Sequence, residues 1–285
     1  MALSGQLIAS GSIDGTIKLW SRSTGECVAG LAGCRAIPLG LAMTERYLVC
    51  GEADSGLAAT LMAAADGSST NGDGGGLEYR VLLWSVSEAC ERGSLDERDA
   101  SPDAEFVGHS APICAVALGK MAAISAGSTD RTARLWPVDG RASSLAVLPH
   151  PGWVSSVSVT YAGTLAATGC ADGHVRLWSM RSFTCLSALA HCTNVGIKGL
   201  VSCVQFSGGL LASGGTDGHV KLWSLRAPSK GECECVATLS GGPEPPPVQG
   251  LACSTLGFVG VAAGDQLVIW RPRVPGTAAA TAVKA

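Results

Sequence analysis

The strongest constraint on the fold is an eleven-residue stretch that the chain repeats. SGSIDGTIKLW, which ends at Trp20, recurs as AGSTDRTARLW, TGCADGHVRLW and SGGTDGHVKLW. The last three copies end at Trp136, Trp178 and Trp223. In all four an Asp stands six residues before the Trp; these are Asp14, Asp130, Asp172 and Asp217. Two degenerate copies end at Trp84 and Trp270, so the sequence predicts six related units.

The spacing of the tryptophans indicates what each unit is. Trp178 follows Trp136 by 42 residues, and Trp223 follows Trp178 by 45. Short apolar runs such as VSSVSV, TLAATG and CLSALA fill the space between turn signals. Runs of this length without helical periodicity predict strands, and a period near 40 residues is typical of a four-stranded unit. The sequence therefore predicts an all-β fold.

These motifs resemble the repeats of the WD40 family of β-propellers over essentially the whole chain. The resemblance implies a propeller with six recognisable blades over residues 1–273, and a tail or closing strand at 274–285. The Asp that follows the Trp in the family is replaced here by Ser, Pro or Arg. Because the chain begins on the second strand of its first blade, we expect that blade to lack its innermost strand. We also expect the natural protein to carry further N-terminal sequence, which could include a seventh blade.

The resemblance further implies a buried polar set in each blade, formed by a His, a hydroxyl residue, the turn Asp and the Trp. Two blades supply the whole set: His150, Thr168, Asp172 and Trp178, and then His191, Ser213, Asp217 and Trp223. A third has His109, Asp130 and Trp136, with Ala126 where the hydroxyl is expected. The first blade has Ser10, Asp14 and Trp20 but no His. Since the set recurs in each blade, we interpret it as structural and not as a catalytic triad.

The twelve cysteines lie mostly in apolar runs of a chain with no secretory signal, so we expect reduced core residues. Cys233 and Cys235, with His191, Cys192 and Cys203 upstream, match no zinc-site spacing. We therefore predict no metal and no cofactor.

Two segments depart from the repeat. Residues 52–78 are rich in Gly, Ser and Asp and predict a disordered insertion. Residues 88–105 hold seven carboxylates and two arginines. They indicate either a solvated acidic loop or a docking strip for a basic partner.

Function depends on exposed residues that the repeat does not require. Trp153 is the best candidate contact with another protein, although a Trp here can also cap its own blade. Arg131, His174 and His219 lie in the turns at the same end of the strands. Arg181, Arg226 and Arg273 each stand three residues after a Trp. This spacing is similar to the Trp-Asp-x-Arg pattern of cullin-4 substrate receptors, without its Asp, and an ordinary turn arginine is the alternative.

The sequence therefore favours a noncatalytic scaffold or adaptor that binds other proteins of unknown identity. A ubiquitin-ligase substrate receptor with a cullin-4 adaptor is the alternative, and a propeller-face enzyme is the third hypothesis. A net charge of −3 gives no reason to expect nucleic acid, and no apolar run is long enough to span a membrane. We expect the protein to be cytoplasmic, nuclear or both.

Overall fold

A computed structural model describes residues 1–53, 79–95, 100–139, 143–192, 199–207, 209–227, 232–240, 245–254, 257–262, 267–270 and 282–284. Its backbone forms six antiparallel sheets of four strands each. Consecutive strands pair in every sheet, so each sheet is a meander. The all-β fold class predicted from the repeats is confirmed.

The chain divides into two compact units, Met1–Leu148 and Pro149–Ala285. The first unit contains three sheets; the last strand of the third sheet ends one residue beyond the boundary, at Pro149. Their strands are β1 (Ala2–Ser4), β2 (Leu7–Gly11), β3 (Ile17–Ser21) and β4 (Cys27–Leu31); β5 (Ile37–Met43), β6 (Tyr47–Ala53), β7 (Tyr79–Ser85) and β8 (Ala104–His109); and β9 (Ile113–Leu118), β10 (Ala122–Gly127), β11 (Thr132–Pro137) and β12 (Ala146–Pro149).

The second unit contains the fourth, fifth and sixth sheets. Their strands are β13 (Val154–Val159), β14 (Leu165–Cys170), β15 (His174–Ser179) and β16 (Cys185–Ala190); β17 (Val201–Ser207), β18 (Leu210–Gly215), β19 (His219–Ala227) and β20 (Glu232–Ser240); and β21 (Val248–Ser254), β22 (Gly257–Ala262), β23 (Leu267–Trp270) and β24 (Ala282–Lys284).

The two ends of the chain both supply strands. The expectation that the first blade lacks its innermost strand is wrong, because Ala2–Ser4 pairs with β2 as a three-residue strand. The run ALS is too short to show the apolar alternation by which longer strands are recognised. At the other end, Ala282–Lys284 pairs with β23 and is the fourth strand of the sixth sheet.

The acidic segment is not a loop throughout. A helix, α1 (Val86–Leu95), begins directly after β7. Val86, Ala89 and Cys90 have the i, i+3, i+4 spacing of one helical face, and they pack against the core of the first sheet. The loop prediction counted the carboxylates and missed this apolar stripe. Most of the predicted insertion at 52–78 lies outside the described residues, although Glu52 and Ala53 belong to β6.

A bulge in the first strand connects neighbouring sheets of the second unit. Pairing of β13 with β14 skips Ser155, and pairing of β17 with β18 skips Ser202. The Ser155 hydroxyl contacts the carbonyl oxygen of Val201, and the Ser202 hydroxyl contacts that of Val248. Because the extra residue of a bulge is released from the ladder, its side chain is free to bind the first strand of the next sheet.

Candidate protein-interaction site and the polar clusters behind it

The third sheet forms a complete polar set with His109, the last residue of β8 in the second sheet. His109 Nδ1 lies 2.6 Å from Asp130 Oδ2, and His109 Nε2 lies 2.7 Å from Ser125 Oγ. Trp136 Nε1 donates to the same Ser125 oxygen at 2.7 Å. Burial alone would raise the pKa of Asp130, but hydrogen bonds from His109 and from Thr132 lower it. The ring, the hydroxyl and the indole therefore form one closed buried chain.

The hydroxyl of this set is Ser125, so the assignment of its place to Ala126 is wrong. Ser125 pairs with Arg134 in β11, just as Thr168 pairs with Arg176 and Ser213 with Lys221. The turn between β10 and β11 is one residue longer than the corresponding turns of the first, fourth and fifth sheets. Counting back from Asp130 at fixed spacing therefore reached the wrong strand residue, whereas SAGSTD contains a Ser one position earlier.

The fourth sheet holds its Asp differently. His150 Nε2 lies 2.7 Å from Thr168 Oγ1, which also accepts a hydrogen bond from Trp178 Nε1 at 2.9 Å. Asp172 is bound by Arg176, whose Nη2 donates to Oδ2 at 2.5 Å. Burial opposes ionisation of Asp172, but Arg176 lowers the pKa of this carboxyl.

The fifth sheet has the same residue types in a looser arrangement. His191 Nδ1 lies 2.7 Å from Ser213 Oγ, and Trp223 Nε1 donates to that oxygen at 2.8 Å. The His191 Nε2 atom is 3.5 Å from Asp217 Oδ1 and makes no hydrogen bond. Burial would raise the pKa of Asp217, but the His191 ring, the His219 backbone N–H and the neighbouring Cys192 thiol lower it to about 2.

The first sheet keeps only the indole contact. Trp20 Nε1 donates to Ser10 Oγ at 2.7 Å. Asp14 lies in an exposed turn, where it accepts hydrogen bonds from the backbone and hydroxyl of Thr16. These bonds lower the pKa of Asp14. Asp14 thus shapes its turn and is not part of a buried set.

The second sheet replaces the set with a charged cluster that the sequence analysis did not identify. Arg80 donates to both carboxylate oxygens of Glu52 at 2.9 Å, to Glu105 at 2.6 Å and to the Gly33 carbonyl at 2.8 Å. Burial would lower the pKa of Arg80, but the two carboxylates raise it. Trp84 donates to the carbonyl of Ala100. The only sequence signal was an Arg four residues before the Trp. Glu78 stands six residues before Trp84, in the place of the turn Asp of the other motifs, and lies outside the described residues.

Trp153 is exposed at the start of the fourth sheet. Half of its surface is open to solvent, while its carbonyl oxygen accepts a hydrogen bond from the Ala171 backbone at 2.9 Å. The indole therefore stands on a fixed backbone next to the Asp172 turn. This combination of a fixed main chain and an exposed aromatic ring suits a contact with another protein.

The other predicted turn contacts have local structural roles. The backbone N–H groups of His174 and His219 donate to Oδ1 of Asp172 and Asp217, respectively. The ring Nδ1 of each His lies against the backbone carbonyl oxygen of the same Asp. Both rings are partly exposed beside their turns. Arg131 is exposed with φ 57°, at the position that Gly15, Gly173 and Gly218 occupy in the other turns.

The three arginines with equal spacing from a Trp do not share one setting. Arg181 is exposed in the turn after β15, where its backbone N–H donates to Ser179 Oγ. Arg226 is exposed within β19, which continues to Ala227. Arg273 lies outside the described residues. β15 and β19 end at different distances from their Trp residues, Trp178 and Trp223, so an equal spacing in sequence gives a different local structure.

In the part of the chain that the structure describes, no helix is long and apolar enough to cross a membrane.

Repeated four-stranded sheets, anchored by a Trp that binds a strand hydroxyl, define an all-β repeat protein. The family model "WD domain, G-beta repeat" matches residues 2–21, 100–137, 142–179 and 183–224. The chain belongs to the WD40 repeat family. The four matches end one residue after Trp20, Trp136, Trp178 and Trp223, the four well-preserved copies of the motif.

Several curated proteins are similar to this chain. Mitochondrial division protein 1 of Aspergillus oryzae is 28% identical over 68% of the chain and 32% of its own length. Human coronin-7 is 30% identical over 38% of the chain and 11% of its own length. Nuclear distribution protein PAC1-2 of Uncinocarpus reesii is 27% identical over 62% of the chain and 36% of its own length. The chain thus spans about a third or less of these relatives.

Among solved structures, the computationally designed protein Ika8 matches with a TM-score of 0.68 at 21% identity. The match covers 94% of this chain and 68% of that one. A likeness at this identity shows the fold alone.

Proposed function

We propose that the protein is a noncatalytic scaffold that binds other proteins at the end of the fourth sheet, around Trp153. WD40 domains typically bind other proteins, and the relatives carry the repeats within much longer chains. The observation that carries the proposal is the half-exposed Trp153 indole on a hydrogen-bonded backbone. The sets of His, hydroxyl residue and Asp support a noncatalytic function, because the same combination recurs with a Trp in several sheets.

The fourth sheet offers a matched control for this surface. Tyr161 is 85% exposed in the turn between β13 and β14, at the opposite end of the strand that follows Trp153. Both aromatic rings are exposed, so their truncation removes a similar kind of surface from two ends of one sheet. A binding surface at the Trp153 end therefore predicts different effects for the two variants.

The test is purification of the tagged protein from its own cells with wild type, Trp153→Ala and Tyr161→Ala in parallel, followed by mass spectrometry. We expect partners that remain with Tyr161→Ala and are lost with Trp153→Ala. For a purified partner the loss should be about 2 kcal/mol, or roughly 30-fold in Kd. Equal partner recovery by all three proteins would overturn the assignment of the surface.

The ligase-receptor hypothesis concerns a different set of residues. It depends on Arg181, Arg226 and Arg273, of which Arg181 and Arg226 are exposed. In the same purification, a cullin adaptor lost from a triple Ala variant would support it, whereas partners unchanged in that variant favour the plain scaffold. We further propose that the protein acts in the cytoplasm, the nucleus or both, which imaging of the tagged chain tests.

A further inference from the structure

Three side chains with metal-binding atoms meet at the start of the fifth sheet. His191 and Cys192 follow β16, and Asp217 lies in the turn between β18 and β19. Their candidate ligand atoms all lie within 4.8 Å of one another. His191 and Cys192 are buried and Asp217 is half-buried. The zinc-site spacings considered in the sequence did not include Asp217, which is 25 residues from Cys192.

One ring nitrogen of His191 makes no hydrogen bond and faces this cluster. Its Nδ1 is bound to Ser213 Oγ, which itself accepts the Trp223 indole N–H. Its Nε2 is buried without a hydrogen-bond partner. With the proton on Nδ1, the Nε2 lone pair faces Asp217 and Cys192. A second hydrogen bond that fixes the opposite ring nitrogen is the arrangement found around metal-binding histidines.

The third sheet shows what the same place looks like when it is closed. There the ring is turned over, so that Nδ1 contacts Asp130 at 2.6 Å and Nε2 contacts the hydroxyl. The residue after the His is Ser110, whose backbone N–H donates to the same Asp130 oxygen. In the fifth sheet the His–Asp separation is 3.5 Å and a thiol follows the His.

Two separations in the fifth sheet, one from the carboxylate to the ring and one from the carboxylate to the thiol, are close to those between neighbouring ligands of a tetrahedral ion. Zinc bonds of about 2.0–2.3 Å place neighbouring ligand atoms about 3.3–3.6 Å apart. Asp217 Oδ1 lies 3.5 Å from His191 Nε2, and Asp217 Oδ2 lies 3.3 Å from Cys192 Sγ. Gly215 borders these atoms, and a side chain there would crowd them, since an added Cβ would lie 2.6 Å from Nε2 and 2.7 Å from Oδ1.

We propose that His191 Nε2, Cys192 Sγ and the Asp217 carboxylate bind a zinc ion. Binding forms the zinc–sulfur bond and releases the thiol proton to solvent, while the imidazole and carboxylate bind through existing lone pairs. The fourth position belongs to water, because His219 Nδ1 is bound to the backbone carbonyl of Asp217. The ion connects the residues after β16 to the β18–β19 turn.

The competing interpretation is a thiol that donates to the carboxylate, as the 3.3 Å contact of Cys192 with Asp217 permits. The two interpretations differ in what Cys192→Ser does. Serine follows the His in the third sheet, so this variant keeps a residue that the fold already accepts at the equivalent place. The Ser hydroxyl can donate the same hydrogen bond to Asp217 as the thiol, but it is a much poorer zinc ligand than a thiolate.

The experiment titrates Zn²⁺ into chelator-treated, fully reduced full-length protein against a competing zinc indicator. We expect a tight site in wild type whose affinity falls at least ~100-fold in Cys192→Ser. Cys233→Ser is the matched control, because Cys233 lies in β20 outside the cluster, and it should bind as wild type does. Equal zinc affinity and stoichiometry in wild type and Cys192→Ser would overturn the proposal.

A second measurement is made on the wild-type protein, with Cys233→Ser as a control. Co²⁺ added to the wild type should give the thiolate-to-cobalt charge-transfer absorption and the visible bands of a tetrahedral ion, at about one equivalent. Cys233→Ser should give the same spectrum. Binding of Co²⁺ without a charge-transfer band, or no binding at all, would show that Cys192 is not a ligand and would also overturn the proposal.

Discussion

The third and fifth sheets each bind a His from the end of the preceding sheet through a Ser, an Asp and a Trp of their own, yet the two sets are joined differently. In the third sheet Asp130 is 5% exposed and touches His109 at 2.6 Å. In the fifth sheet Asp217 is 25% exposed and lies 3.5 Å from a ring that is turned over. A repeated motif therefore fixes the fold of a blade without fixing the chemistry of its polar set. The two sets also differ in the residue after the His, which is Ser110 or Cys192, and in the length of the turn.

The largest expected difference between the two sheets comes from removal of the Asp. Asp130→Ala leaves His109 Nδ1 buried without its partner and should reduce the free energy of unfolding of the third sheet by about 3–5 kcal/mol. Asp217→Ala, measured with chelator present, should cost only about 1 kcal/mol, because its contacts are longer and partly exposed. Hydrogen exchange of β10 and β18 amides measures each loss in its own sheet. Equal losses would contradict the distinction.

Removal of the hydroxyl should have the same effect in both sheets. Ser125→Ala and Ser213→Ala each leave a buried indole N–H and a buried ring nitrogen without a partner. We expect each to cost about 2–3 kcal/mol in the same exchange measurement. A neutral Ser125→Ala would mean that this serine is not the hydroxyl of the third set.

The protonation of Asp130 should be visible in the pH dependence of stability. Its pKa is lowered in the folded protein, so its contribution is present above the ordinary value of 3.8 and is lost as the pH falls through the folded pKa. Urea unfolding of wild type should therefore weaken more steeply below about pH 4 than that of Asp130→Asn. Parallel curves for the two proteins would contradict the lowered pKa.

The smallest expected effect concerns Arg131, in the longer turn between β10 and β11 of the third sheet. Arg131 has φ 57°, whereas Gly173 and Gly218 hold the same position with φ 80° and 76°. Arg131→Gly should raise the free energy of unfolding by about 0.5 kcal/mol, since relief of the left-handed strain exceeds the added entropy of the unfolded chain. Thermal unfolding of the variant beside wild type measures the gain. A lower Tm would show that Arg131 makes contacts that outweigh the strain.

The sequence predicted those features that recur at a constant spacing. The Trp and Asp of the four well-preserved motifs and the all-β class follow from the repeat, whereas the His of each complete set was implied by the resemblance to the WD40 family. The hydroxyl of the third set was misplaced because one extra turn residue shifts Ser125 out of register. The pairing of Arg80 with Glu52 and Glu105 joins residues 28 and 25 positions apart, and no repeat relates them. The approach of Cys192 to Asp217 was missed for the same reason.

Two local features escaped for other reasons. The helix Val86–Leu95 shows only one short apolar stripe, and its charges predict a solvated loop when they are counted alone. Ala2–Ser4 has three residues, too few for a strand pattern, and it becomes a strand by pairing with Leu7–Ala9. In both cases packing against the first sheet decides the structure, and packing is not visible in a single short segment.

The contrast between a closed third set and an open fifth set is tested most directly by one pair of double-mutant cycles. His109 and Asp130 are replaced by Ala singly and together, and so are His191 and Asp217, with chelator present and with hydrogen exchange of β10 and β18 as the readout. The structure predicts a coupling energy of about 2 kcal/mol or more for His109–Asp130 and about 1 kcal/mol or less for His191–Asp217. Equal coupling in the two sheets would contradict it.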